Sequence, residues 1–176
     1  MTQRNILINR APVLTLWATT VAERLGFDQD EALSLGKAVA GLTAQSKGRR
    51  LGIYKPVPQG IKKARARKRG EEFLIEICGR QVPAINTTDG VRAVIKDKPI
   101  EAKSVERYLQ SKFGESLGTA RKAMRDLAKA FQPEQLLENG FRLYEKFRPA
   151  IPEGVTGWGA KGKLEIDRIR SLALEQ

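Results

Sequence analysis

The chain contains no histidine and a single cysteine, Cys78. The first absence removes the commonest general base and the commonest metal ligand. With one thiol no internal disulfide forms, and a zinc site lacks the Cys and His it needs. Such sparing use of cysteine predicts a cytoplasmic protein. No run of about 18 apolar residues occurs, so no transmembrane helix and no membrane partner are predicted. At the N-terminus only Ile6, Leu7 and Ile8 form an apolar core, too short for a secretory signal. Acid is also missing locally: between Glu31 and Glu71 there is neither Asp nor Glu.

That acid-free span holds most of the charge. Lys47 to Arg69 reads KGRRLGIYKPVPQGIKKARARKR and contains ten Lys or Arg, with Lys37 an eleventh base upstream. The whole chain has 32 basic and 20 acidic residues, a net of +12, so the remainder is close to neutral. A concentrated basic run attracts polyanions. Lys62, Lys63, Arg65, Arg67, Lys68 and Arg69 would point all round a helical wheel and leave no apolar stripe. Gly48, Gly52, Pro56, Pro58 and Gly60 break the first half. The pattern predicts a mobile arm or long loop that orders on its partner. A solvated linker and an arm for anionic lipid or acidic protein are the competing readings.

The flanks read as folded protein. The 176 residues, 41% apolar, are enough for a sizeable core. Residues 11–46 predict two helices. Leu14, Trp17, Ala18, Val21 and Leu25 form the first stripe, ended by Gly26; Leu35, Val39 and Leu42 form the second. Asp28 and Glu31 have the spacing of a capping box. Gly36 and Ala40 permit close approach of the two helices. The hairpin also resembles a helix-turn-helix in Ala22, Leu25, Gly26 and Phe27. However, its second helix would present Asp28, Asp30 and Glu31 to phosphate, which favours a plain packed hairpin.

Beyond the basic run, Phe73, Ile75 and Ile77 alternate as a strand, with a turn at Gly79-Arg80. Val82 and Ile85 continue a second strand, which Pro83 marks as an edge. TTDGVRAVIKDKP fits a hairpin turn at Asp89-Gly90 or a short helix capped by Thr88, and the helix is favoured. Helical stripes recur over about 102–148, punctuated by Gly114, Pro133 and Pro149. Arg121, Lys122, Arg125 and Lys129 lie off the stripe as a solvated face. The segment around Ile166, Ile169, Leu172 and Ala173 predicts a last short helix. The fold class expected is α+β, mostly α-helical with a small β-element. Its parts are a helical hairpin over 1–46, the basic segment over 47–70 and an α+β part over 71–176.

Catalytic constellations are weak. Gly157, Gly159 and Gly162 spell a dinucleotide fingerprint, and Gly157 to Lys163 the start of a P-loop. Too few residues follow for either fold, and Leu164 stands where the P-loop needs a hydroxyl. The loop still offers N–H groups and two lysines to a phosphate at a helix start. Asp89 with Glu101-Ala102-Lys103 loosely resembles a metal-nuclease pattern, interrupted by Pro99. Cys78 has no histidine to activate it and reads as a core thiol. No cofactor, no metal site and no enzyme activity are predicted.

NRAPVLTLWA, VAERLGF, KDKPIEAKSVERYLQSKFG and FRPAIPEGVTGWGAKG together resemble a family of small uncharacterised bacterial proteins. The resemblance covers most of the chain. It implies a bacterial origin and says nothing about chemistry. The residues themselves point to a non-enzymatic protein that contacts DNA or RNA. DNA is favoured for the faint helix-turn-helix likeness. Lys47, Arg49, Arg50, Lys55, Lys62, Lys63, Arg65, Arg67, Lys68 and Arg69 would meet backbone phosphates, with little sequence specificity. Tyr54 either stacks on a base or pins the segment to the core. The alternative is an interaction subunit whose basic segment docks an acidic protein.

Overall fold

The computed structural model describes residues 5–46, 72–95, 98–149 and 161–174. The fold is α+β and mostly helical. Its elements are β1 (Asn5–Asn9), α1 (Arg10–Arg24), α2 (Gln29–Ser46), β2 (Phe73–Ile77), β3 (Arg80–Thr87), β4 (Gly90–Ile95) and β5 (Lys98–Pro99). There follow α3 (Ala102–Phe113), α4 (Leu117–Lys129), α5 (Pro133–Phe147), β6 (Lys161–Glu165) and α6 (Ile166–Leu174). Strands β2-β3-β4-β5 make an antiparallel meander, and β1 pairs with β6 in a separate two-stranded ribbon.

Helix α1 is the spine. Every residue from Pro12 to Ala22 is buried, so the helix is enclosed all round rather than along one stripe. Three of those residues are threonines, which the stripe of Leu14, Trp17 and Val21 does not include. Their hydroxyls are satisfied within the helix: Thr15 donates to the carbonyl of Ala11, Thr19 to Thr15 and Thr20 to Leu16. A threonine that bonds back to the preceding turn can be buried without an orphan polar atom. Trp17 is fully buried, donates Nε1–H to the Gly140 carbonyl at 2.8 Å, and meets Phe147 edge to face at 5.4 Å. These contacts tie α1 to α5.

Helix α2 crosses α1 at Gly36. A Cβ there would stand 2.6 Å from the Thr15 carbonyl oxygen and 2.7 Å from the Thr19 nitrogen. The start of α2 forms the expected capping box: Glu31 N–H donates to Asp28 Oδ1, and Asp28 N–H donates to Glu31 Oε1. Glu31 is nonetheless buried, because its Oε2 also accepts Val91 N–H of β4 at 2.9 Å. Ser34, one turn on, accepts Ala93 N–H at 3.1 Å. Side chains of α2 thus satisfy two N–H groups of β4 that would otherwise be buried and unpaired.

These bonds explain the main departure from the sequence reading. The segment TTDGVRAVI is a strand and not a helix. Gly90 adopts φ +115°, and the turn is closed by Thr87, whose hydroxyl donates to Gly90 O and accepts Asp89 N–H. Val91 and Ala93 then face inward in alternation. Strand β3 is also internal rather than an edge, since it pairs with both β2 and β4. Pro83 sits just beyond Ala84↔Ala93, the last pair of the β3–β4 ladder, where its missing donor is tolerated. The β2–β3 turn is Cys78-Gly79, one residue earlier than expected. Both residues have positive φ, 50° and 75°, as a two-residue hairpin of this kind requires. Gly114, Pro133 and Pro149 bound the helices where the punctuation placed them.

Candidate functional site

All of the expected contact residues, Lys47, Arg49, Arg50, Tyr54, Lys55, Lys62, Lys63, Arg65, Arg67, Lys68 and Arg69, lie outside the described residues, as does the expected mobile arm. The structure places the two roots of that segment, at the end of α2 and at the start of β2. At the first root, Arg80 donates Nε–H to Thr43 Oγ1 in the last turns of α2. No basic residue of α2 itself lies in its last turn, so Arg80 brings a cation towards that negative helix end.

Two further arginines stand near the same place. Arg10 and Arg148 line a small cavity of about 50 Å³ with Thr43, Phe141 and Tyr144. Arg10 donates Nε–H to the Pro149 carbonyl at 2.9 Å, which draws the start of α1 to the end of α5. The Arg80 guanidinium lies 5.7 Å from the Phe141 ring centre. Burial lowers the pKa of Arg10, and the neighbouring Arg148 lowers it further. Burial also lowers that of Arg80. A guanidinium stays charged despite such shifts. The Tyr144 hydroxyl is pushed up to about 12 by burial, against the pull of Arg10 and Arg148. Among the described residues these three arginines make one ion pair, a loose one between Arg148 and Glu145 at 3.9 Å. The site is therefore a partly desolvated cluster of positive charge with little compensation from the described residues.

The chain matches no protein-family model, no curated protein and no solved structure. The chemistry of the site rests on its own residues.

Several other cations are occupied. Lys37, the first base of the acid-free span, stands 3.8 Å over the Tyr108 ring. Burial lowers its pKa and Lys112 lowers it further. Arg121 pairs with Glu106 at 2.8 Å, Lys122 with Asp126 at 3.1 Å and Arg125 with Glu23 at 3.4 Å. The pattern of α4 predicted a solvated face; Lys122 and Lys129 are exposed, whereas Arg121 and Arg125 are half-buried in their ion pairs.

The remaining motifs fall apart in space. The first turn of α2 is docked on β4 through Glu31, which closes the end that a helix-turn-helix would offer to a groove. Asp89 is in the turn before β4, while Ile100, next to Glu101, bonds Ala93 in mid-strand. That is four residues along, roughly 13 Å at strand rise. Among the described residues no three acidic, Cys or His groups gather to hold a metal. Gly162 and Lys163 are not at a helix start; they pair in β6 with Ile8 and Leu7, and the helix begins at Ile166. The rest of the glycine-rich loop lies outside the described residues.

Cys78 is a core thiol. It is buried in the β2–β3 turn, and a Cβ at Gly140 would approach its Sγ to 3.3 Å. Burial pushes its pKa up to about 12. A disulfide reagent at pH 8 should leave the native chain unmodified and titrate one thiol in urea. Prompt reaction of the native chain would contradict this placement.

Arg10, Arg80 and Arg148 were not singled out in the sequence. Each is isolated there, at a helix start, a turn exit and a helix end. No local pattern links them; only the packing of α1, α2, α5 and the start of β3 does.

Proposed function

We propose that the protein is a non-enzymatic, cytoplasmic nucleic-acid-binding protein that grips backbone phosphates with little regard to sequence. The observation that carries the reading is the concentration of charge: eleven bases and no acid between Glu31 and Glu71, in a chain whose net charge is +12. Lysine and arginine that neutralise phosphates release condensed counterions, and this supplies affinity without base readout. The location is argued from the single cysteine. Among the described residues no helix is long and apolar enough to cross a membrane. The preference for DNA loses its support, since it rested on the likeness of α2 to a recognition helix. Duplex and single strands of either polymer are therefore candidates.

The test is fluorescence anisotropy with labelled DNA and RNA of random sequence at several salt concentrations. If about five cations meet duplex phosphates, log K should fall against log salt with a slope of roughly −4 to −5. Affinities for unrelated sequences should agree. A slope near zero, or selective binding to one acidic protein with no binding to either polymer, would replace this reading with the protein-interaction one.

A further inference from the structure

We propose that the cavity between α1, α2 and α5 is a phosphate-group site built by Arg10 and Arg148, with Arg80 at its edge. On the reading above, which this inference deepens, the group belongs to a nucleic-acid backbone. Arg10 and Arg148 approach each other closely enough for like-charge repulsion to register on Arg10. Arg80 adds a third cation through Thr43 and Phe141, both of which line the cavity. Holding partly desolvated like charges together costs free energy that an anion recovers. Among the described residues the carboxylate paired within this cluster is Glu145, only loosely, and it is half exposed.

Geometry narrows the anion. Arg10 is oriented by its Nε bond to the Pro149 carbonyl, and the Tyr144 hydroxyl lies 3.5 Å from the Arg10 carbonyl. A guanidinium held through its Nε–H still has terminal N–H donors, which suit the oxygens of phosphate. A cavity of about 50 Å³ suits a single oxyanion group and not a nucleotide. Phe141 and Tyr144, with ring centres 5.5 Å apart, form an apolar wall that lowers the local dielectric and strengthens the attraction. Thr43 stands four residues before Lys47, where the basic run begins in the sequence.

The test uses the full chain in two arms. In the first, thermal unfolding is followed in inorganic phosphate and in chloride at matched ionic strength. Phosphate should raise the midpoint of the parent, and Arg148→Gln and Arg10→Gln should each lose at least half of that rise. Arg148→Gln is the decisive variant, because Arg10 also tethers Pro149 and its loss could unfold the site. In the second arm, duplex binding is measured against salt. Arg148→Gln should reduce the slope by about one unit and weaken binding roughly tenfold at about 0.1 M salt, equally for all sequences. An equal phosphate response in parent and Arg148→Gln would overturn the site. A phosphate response lost in Arg148→Gln, together with no duplex binding by the parent, would uphold the site. It would assign the site to free phosphate and refute the nucleic-acid reading alone.

Discussion

Gly36→Ala should destabilise the protein by about 3 kcal/mol, although alanine is the better helix former by about 1 kcal/mol. The new methyl would meet Thr15 O at 2.6 Å, Thr19 N at 2.7 Å and the Thr19 hydroxyl. Two of these atoms are α1 backbone, and α1 is enclosed from Pro12 to Ala22, so it cannot retreat. The two helices must part, and the packing of Leu35 and Val39 goes with them. Gly41 lies in the same helix with nothing within 4 Å of its would-be Cβ. Gly41→Ala should therefore stabilise, by up to about 1 kcal/mol. Urea unfolding followed by circular dichroism compares the two. Effects of the same sign would refute the helix crossing.

Glu31→Ala should cost about 3 kcal/mol. The change removes the acceptor of Asp28 N–H and that of Val91 N–H, the second buried in the sheet. A buried N–H left without a partner costs about 1–3 kcal/mol, and loss of a capping side chain about 1 kcal/mol. Glu31→Gln keeps an acceptor but turns a donor towards one of the two N–H groups, so roughly half the loss is expected. Asp30→Ala, exposed on the same turn, should change stability by less than about 0.5 kcal/mol. Hydrogen exchange at Val91 supplies an independent reading: its amide should lose protection in Glu31→Ala ahead of the core of α1. Equal urea midpoints for Glu31→Ala and Asp30→Ala would show that α2 is not anchored on β4 through this side chain.

The helices were legible because their signals are local. Asp28 and Glu31, Gly114, Pro133 and Pro149 each act within a turn of the place they mark. The strand β4 was not legible: Val91, Val94 and Ile95 fit a helical spacing as well as an alternation. The partners that decide the matter, Glu31 and Ser34, are 60 and 59 residues away. The β1–β6 ribbon was missed for the same reason, since it joins Asn5 to Glu165. Enclosure of α1 was hidden by Thr15, Thr19 and Thr20, polar in the sequence but satisfied within the helix. At the candidate site the division is similar. A run of like charges can be read from neighbours in sequence. A pocket lined by Arg10 and Arg148 exists only after α1, α2 and α5 have packed.

We propose that the basic run holds nucleic acid through its phosphates. It is tested most directly by replacing Lys62, Lys63, Arg65, Arg67, Lys68 and Arg69 with Gln. Anisotropy against salt and circular dichroism are then measured on the same samples. None of the six belongs to an apolar stripe, so the helical signal should match that of the parent. Affinity should fall for every sequence tested, and the slope of log K against log salt should flatten by several units from roughly −4 to −5. A folded six-fold variant that binds duplex and single strands as tightly as the parent, with an unchanged slope, would contradict the account.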